Sequence, residues 1–374
     1  MGWNFIYQFS LLPHFLLTFV APFLFILTII IFVHELGHFL VARWCGIKVL
    51  AFSIGFGPEL VGFTDRLGTR WKVSLIPLGG YVKFFGDENV ASVPDTDAIA
   101  AMNADDRRVS FFHKSVGARA AVVAAGPIAN FLLAIAIFSA VFAINGKQET
   151  APRVDQVMEG SAAEAAGFKP GDLVLSINGN AIESFSDMQE IVALSAEEPL
   201  AFVVERGGAK VDLRATPQLV KGMGRLGITQ KNAPEDIRTI KYGPIGALRE
   251  GVKRTWLVVD QTFRYLGKMV VGRASADQLG GPLRMGQMAS EAASLGFATL
   301  MSLAGLISVS IGLLNLFPIP LLDGGHLLFY GIEAARGRPL SERVQEVGFR
   351  IGLALIVMLM IFTVWNDLSH IRAS

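Results

Sequence analysis

The chain has 374 residues, 52% of them apolar and only 17% charged, with a mean hydropathy of +0.48. Soluble globular proteins carry about 25% charged residues, so an integral membrane protein is expected. The formal net charge is +1 with no run of lysine and arginine interleaved with aromatics, which argues against a nucleic-acid binder, and the single cysteine, Cys45, excludes an intrachain disulfide or a paired-cysteine metal or redox motif.

In chain order, the first element is an uncharged run from Phe15 to Val33. A helix needs about 20 apolar residues to cross about 30 Å of hydrocarbon. The run lacks the basic start and small-residue cleavage site of a signal peptide, so a retained span is expected. It sits within FILTIIIFVHELGHFLVARWCG, Phe25 to Gly46, where His34, Glu35 and His38 interrupt the apolar sequence. The next stretch, AFSIGFGPELVGFTDRLGTRWKVSLIPLGGYVKFFGDE, is rich in glycine, aromatic and β-branched residues and reads as short hairpins. Should they dip toward the bilayer, their edges must be covered by protein or line a wet cavity.

Ala120 to Asn145 is a second uncharged span. Residues 151–218 alternate short apolar runs with the turn signals NGN and RGGAK, as a small mixed domain of strands and helices would. From Pro244, Ile245, Leu248, Val252, Trp256, Val259 and Phe263 recur at steps of three and four, with Arg249, Lys253, Arg254, Asp260 and Arg264 between them. This predicts one amphipathic helix, with two placements open: in the membrane interface, or against the small domain. Ala292 to Leu322 is the third uncharged span, and Ile351 to Asn366, flanked by Arg350, a shorter fourth.

Basic residues set the expected orientation. The tail before the first span has no Lys or Arg. The connection between spans one and two holds Arg43, Lys48, Arg66, Arg70, Lys72, Lys83, Arg107, Arg108, Lys114 and Arg119, and that between three and four holds Arg336, Arg338, Arg343 and Arg350. Both termini and the small domain are therefore expected outside, with the histidines in the cytoplasmic half of the first span.

On a helix, His34 and His38 project from one face and can reach one ion, with Glu35 beside the first. HExxH is the pattern in which two histidines bind zinc and the glutamate acts as general base. Each ionisable group at membrane depth costs about 2.5–3.5 kcal/mol, so three together are hard to explain unless they meet a metal and line an internal cavity. Catalytic zinc needs a third protein ligand. The candidate is Asp323 in NLFPIPLLDGGHLLFYG, where Pro318 and Pro320 break the third helix and Gly324 and Gly325 are expected to turn the chain. His326 could also reach a metal, and spacing alone does not choose between them.

HELGH in the first span, GPIAN in the second, a PDZ-like stretch and NLFPIPLLDGG in the third resemble the site-2 protease family of intramembrane zinc metalloproteases, closest to its bacterial regulator of sigma-E protease branch. Two further segments, SIGFGP and PLGGYVKFFGDE, are similar to that family's cytosolic-side β elements.

The resemblance implies a polytopic α-helical membrane protein with about four transmembrane helices, a membrane-associated β region and an inserted extracytoplasmic PDZ-like domain. The first helix would end at 45, the β region and its loop occupy 46–116, and the second helix 117–146. The PDZ-like domain would occupy 147–220, a linker and the amphipathic helix 221–288, the third helix 289–335, and the fourth with its tail 336–374.

It implies one Zn2+ per chain on His34, His38 and Asp323, Glu35 as the base, Asn315 bonded to unwound substrate, and Gly126 and Asn130 near the active site on the substrate-binding side. The implied setting is the bacterial inner membrane, with lipid around the chain and no nucleic acid. Implied substrates are single-span proteins such as anti-sigma factors after a first cut, or signal-peptide remnants. Residues 151–218 have room for one PDZ domain and show no GLGF-like carboxylate loop, so capture of a C-terminus and filtering by size both stay open. The competing reading is a non-catalytic metal carrier or PDZ scaffold. A carrier would repeat polar ligands over several spans, and a scaffold would have no use for Glu35.

Overall fold

The computed structural model describes residues 16–87, 101–182, 184–220, 223–230, 236–271 and 280–373. The tail before Leu16, on which part of the orientation argument leans, lies outside them. The chain forms two compact units, Met1–Val141 with Pro244–Ser374, and Phe142–Gly243.

In the larger unit, a π-helical turn, Leu16–Val20, leads into α1, Ala21–Trp44, whose early proline at Pro22 leaves the helical ladder intact. Strands β1, Val49–Thr64, and β2, Arg70–Phe84, follow, then a short helix α2, Ala104–Val109, and α3, Val116–Asn145. After the smaller unit come α6, Pro244–Val270, α7, Pro282–Ser294, α8, Phe297–Asn315, α9, Asp323–Arg336, and α10, Glu342–Ala373. Four helices are long and apolar enough to cross a membrane, over Leu17–Trp44, Val116–Asn145, Phe297–Asn315 and Arg343–Ser369. The expected third span is divided: α7 ends at Ser294, and the chain turns at Gly296 before α8 begins. Ile26 and Ile30 of α1 pack on Ala289 of α7 and on Leu300, Leu303, Ala304 and Ile307 of α8.

The expected short hairpins are instead one sheet made of two long, bent strands. Residues 49–54 pair antiparallel with 80–84, residues 51–54 run alongside 70–73 in the same direction, and 70–74 also pair antiparallel with 59–64. The lateral order is therefore 59–64, 70–76, 49–56, 80–84. Phe52, Val82 and Phe84 at one end pack with Phe39 and Ala42 of α1 and Val122 and Val123 of α3. At the other end Leu60, Val61, Phe63, Leu75 and Ile76 are exposed.

Helix α6 forms as the periodicity predicts, but the face that packs is not the row of large side chains. Ala247, Gly251, Thr255 and Val258 are buried, while Ile245, Leu248, Val252, Trp256 and Phe263 are exposed. A Cβ at Gly251 would lie 2.8 Å from the Ile135 carbonyl oxygen of α3, so the helix approaches through its small residues. It belongs to the membrane unit.

The smaller unit contains β3, Lys147–Thr150, β4, Gln156–Val157, α4, Ala162–Ala165, β5, Leu173–Ile177, β6, Asn180–Ala181, and α5, Phe185–Leu194. It continues with β7, Leu200–Arg206, β8, Ala209–Ala215, β9, Gln218–Val220, β10, Met223–Arg225, β11, Ile228–Thr229, and β12, Ile237–Ile240. Its main sheet has the order β6-β5-β7-β8, around a core of Val174, Ile177, Met188, Phe202 and Val204. The expected boundary at 220 is too early. β12 pairs with β3, Ile240 opposite Lys147, and β11 with β4, so the supposed linker closes the fold. Strands of two to four residues give little periodicity to read. The sequence Leu226-Gly227-Ile228, of the GLGF kind, therefore falls inside the unit. It lines a groove of about 260 Å³ with Phe185, Met188 and Val192 of α5.

Candidate metal centre

Helix α1 presents His34 and His38 one turn apart, and α9 brings Asp323 to them. The His34 and His38 Nε2 atoms are 3.2 Å apart, His34 Nε2 is 3.2 Å from Asp323 Oδ2, and His38 Nε2 is 3.5 Å from Asp323 Oδ1. A tetrahedral zinc with ligands at about 2.0–2.2 Å holds its donors about 3.4 Å apart. Two imidazoles and a carboxylate suit zinc, and the buried Asp323 Oδ2 receives no hydrogen bond among the described residues. The residues present thus fit the ion. His326 lines the same cavity, but the described residues whose donor atoms converge are His34, His38 and Asp323.

The break that delivers Asp323 differs in detail from expectation. Helix α8 ends at Asn315, before either proline, and the turn itself is made by Leu321 at φ 83. Gly324 and Gly325 lie in the first turn of α9, where a Cβ would meet the carbonyl oxygens of Leu316, Phe317 and Ile319. Glycine is needed there for close backbone approach, not for the turn. Asp323 occupies the N-terminus of α9, where the helix dipole favours a carboxylate.

Behind the histidines runs α3. His38 Nδ1 donates to the Val122 carbonyl oxygen at 2.8 Å, and the Asn130 amide nitrogen is 3.2 Å from His34 Nδ1. Gly126, midway between them, is buried against both rings, and a Cβ there would overlap the His38 imidazole. The family resemblance groups Asn130 and Gly126 with Asn315 on the substrate-binding side; the structure places both behind the ligands, with Asn130 fully buried. Asn315 does line the cavity.

That cavity, about 600 Å³, is walled by His34, Glu35 and His38 on α1, Gly80 to Val82 on β2, Asn315, Asp323 and Tyr330. Residues 80–84 pair on one side only, with 49–54, among the described residues. A Cβ at Gly80 would lie 2.9 Å from Glu35 Cγ, so this strand passes directly over the glutamate. Tyr330 is held by Arg119, whose guanidinium lies 4.8 Å from the ring centre and bonds Glu333 at 2.6 Å, both charges nearly buried. This link fastens α9 to the start of α3. Nothing in sequence spacing connects Arg119, Tyr330 and Glu333; only the fold brings them together.

Two imidazoles and a carboxylate, with a second carboxylate set into a cavity among apolar helices, define a membrane-embedded metallopeptidase. Comparison with known proteins gives the family: residues 22–359 match the model of peptidase family M50, and the chain belongs to that family. It is 49% identical over 366 residues to a protein of Agrobacterium fabrum provisionally named a zinc metalloprotease, covering 96% of this chain and 97% of that one. Metalloprotease MmpA of Caulobacter vibrioides is 42% identical over 375 residues, covering 93% and 94%. Among solved structures, the PDZ domain of an SdrC-like protein from Listeria monocytogenes matches 21% of this chain and 83% of its own, at 22% identity and a TM-score of 0.19, a likeness that carries no argument. The chain is a zinc metalloendopeptidase of the site-2 protease type.

Proposed function

We propose that this peptidase cuts single-span membrane proteins within or beside their spanning segments, after an earlier cut outside. Anti-sigma factors and signal-peptide remnants are the substrate classes. The observation that carries this reading is the edge of residues 80–84, unpaired on its outer side among the described residues and bordering the same cavity as Glu35 and the ligand cluster. A helix hides its carbonyl groups in its own hydrogen bonds. The substrate segment therefore extends and adds to this edge as a further strand, which supplies the backbone partners it has lost.

His34, His38 and Asp323 would hold one zinc ion, which when bound supplies a Lewis acid and lowers the pKa of its water toward about 7. Glu35 takes the proton of the attacking water and passes it to the leaving amine nitrogen. Asn315 offers its amide to the extended backbone. The basic connections support an inner-membrane setting with the site toward the cytoplasm and the termini and the smaller, PDZ-like unit outside. In this reading the groove beside α5 admits or excludes substrates according to what remains of them outside.

The decisive experiment is Glu35→Gln. Zinc content should be unchanged and cleavage of a model transmembrane substrate abolished; a variant that still cleaves would remove Glu35 from the role of base. Proline placed in turn along residues 80–84 should lower cleavage while zinc stays bound, and undiminished cleavage would refute strand addition.

A further inference from the structure

The structure assigns Asn130 to the positioning of His34, and so to the affinity of the site for its metal. The inference rests on the zinc-site reading above. Asn130 is fully buried, so it cannot touch a substrate lying in the cavity. Its amide nitrogen lies 3.2 Å from His34 Nδ1, while its Oδ1 is buried with no hydrogen-bond partner among the described residues.

A neutral imidazole carries one hydrogen. A histidine that offers Nε2 to a metal keeps that hydrogen on Nδ1 and donates it to an acceptor, which fixes both tautomer and ring orientation. His38 meets this requirement at the Val122 carbonyl. At His34 the amide of Asn130 fills the same place. The two ends of an amide have the same shape, so its orientation follows from its partners. With His34 Nε2 given to the metal, Asn130 presents its oxygen to Nδ1–H, and the oxygen that otherwise has no partner gains one.

Asn130 is itself held by α8. Ser308 Oγ donates to the Asn130 backbone carbonyl oxygen at 2.8 Å, and a Cβ at Gly312 would come within 3.2 Å of Asn130 Cβ. Through its side-chain amide on one side and its backbone carbonyl on the other, Asn130 thereby links the helix that carries His34 to the helix whose end leads to Asp323.

The test compares full-length chains in detergent, with zinc affinity read by competition against a chromogenic chelator and folding by thermal unfolding. Asn130→Leu keeps the size and removes the acceptor, whereas Asn130→Asp keeps an acceptor oxygen. Zinc affinity should fall about 10–100-fold in Asn130→Leu, the range for loss of a group that orients a ligand, and Asn130→Asp should bind as tightly as the parent or tighter. If Asn130→Leu unfolds the chain, the same comparison is read from Asn130→Ala. Parent-like affinity without the acceptor overturns the inference, as does an Asn130→Asp chain that is folded yet as weak as Asn130→Leu. A parent chain that binds no zinc would instead overturn the zinc-site reading itself, which keeps the two failures distinct.

Discussion

Gly126→Ala tests how closely α3 backs the metal centre. The added methyl would sit 2.9 Å from His34 Cε1 and closer still to His38 Nε2 and Cε1. Because α1 meets α3 at Gly37, where a Cβ would come 2.8 Å from Ala129 Cβ, the helices cannot separate without losing that contact. Overpacking of this kind costs about 1–3 kcal/mol. In the metal-free chain the imidazoles can swing away and relieve it. Once both are committed to one ion they cannot, so the strain should appear as a weakening of zinc binding by about 5- to 150-fold. Competition with a chelator measures the affinity, and thermal unfolding of the metal-free chain measures any cost that remains without metal. A Gly126→Ala chain with parent-like zinc affinity and parent-like unfolding would show that the approach of α3 to the histidines is not as tight as described.

Two further predictions concern the frame around the site. Asp367 of α10 is buried and accepts from the backbone nitrogens of Gly281, Leu283 and Arg284 at 2.9, 3.0 and 3.2 Å, capping α7 from a distant helix. Asp367→Ala should destabilise the chain by about 2 kcal/mol, with faster hydrogen exchange at the start of α7; unchanged exchange there would refute the cap. In the smaller unit, burial of Asp172 works against its ionisation, but Arg206, through both carboxylate oxygens, and the Lys169 backbone N–H hold its pKa below the ordinary carboxylate value. A lowered folded pKa gives stability that is present above the unfolded value of about 3.9 and lost as pH falls through the folded one. Hydrogen exchange of β5 in the full chain should therefore accelerate at acid pH. Asp172→Asn should be less stable at neutral pH and should lose that acid dependence; an unaltered profile would refute the role of the pair.

The sequence by itself determined that four segments are apolar and long enough to cross a membrane, and it picked out most of the residues that meet at the candidate site. The reason is that long uncharged runs and a helical i, i+4 pair of histidines are local signals. His34, Glu35 and His38 need nothing beyond helical geometry to share a site, and the prolines before Asp323 announce a break. Local signals failed where the deciding contacts are distant. The short strands β11 and β12 acquire meaning only by pairing back across the smaller unit, which is why the sequence alone places its boundary too early. Along α6, hydrophobicity marks the large side chains, yet the small residues Ala247, Gly251 and Thr255 pack, because helix approach depends on how near two backbones can come.

Only the tertiary structure decided between Asp323 and His326, since both lie near one end of α9 and the choice turns on which donor atoms converge. It alone put Gly126 and Asn130 behind the histidines instead of in the cavity wall, and the edge of residues 80–84 over Glu35. Spacing along a helix specifies which groups share a face. What stands opposite that face is fixed by the packing of residues nearly a hundred, or nearly three hundred, positions away.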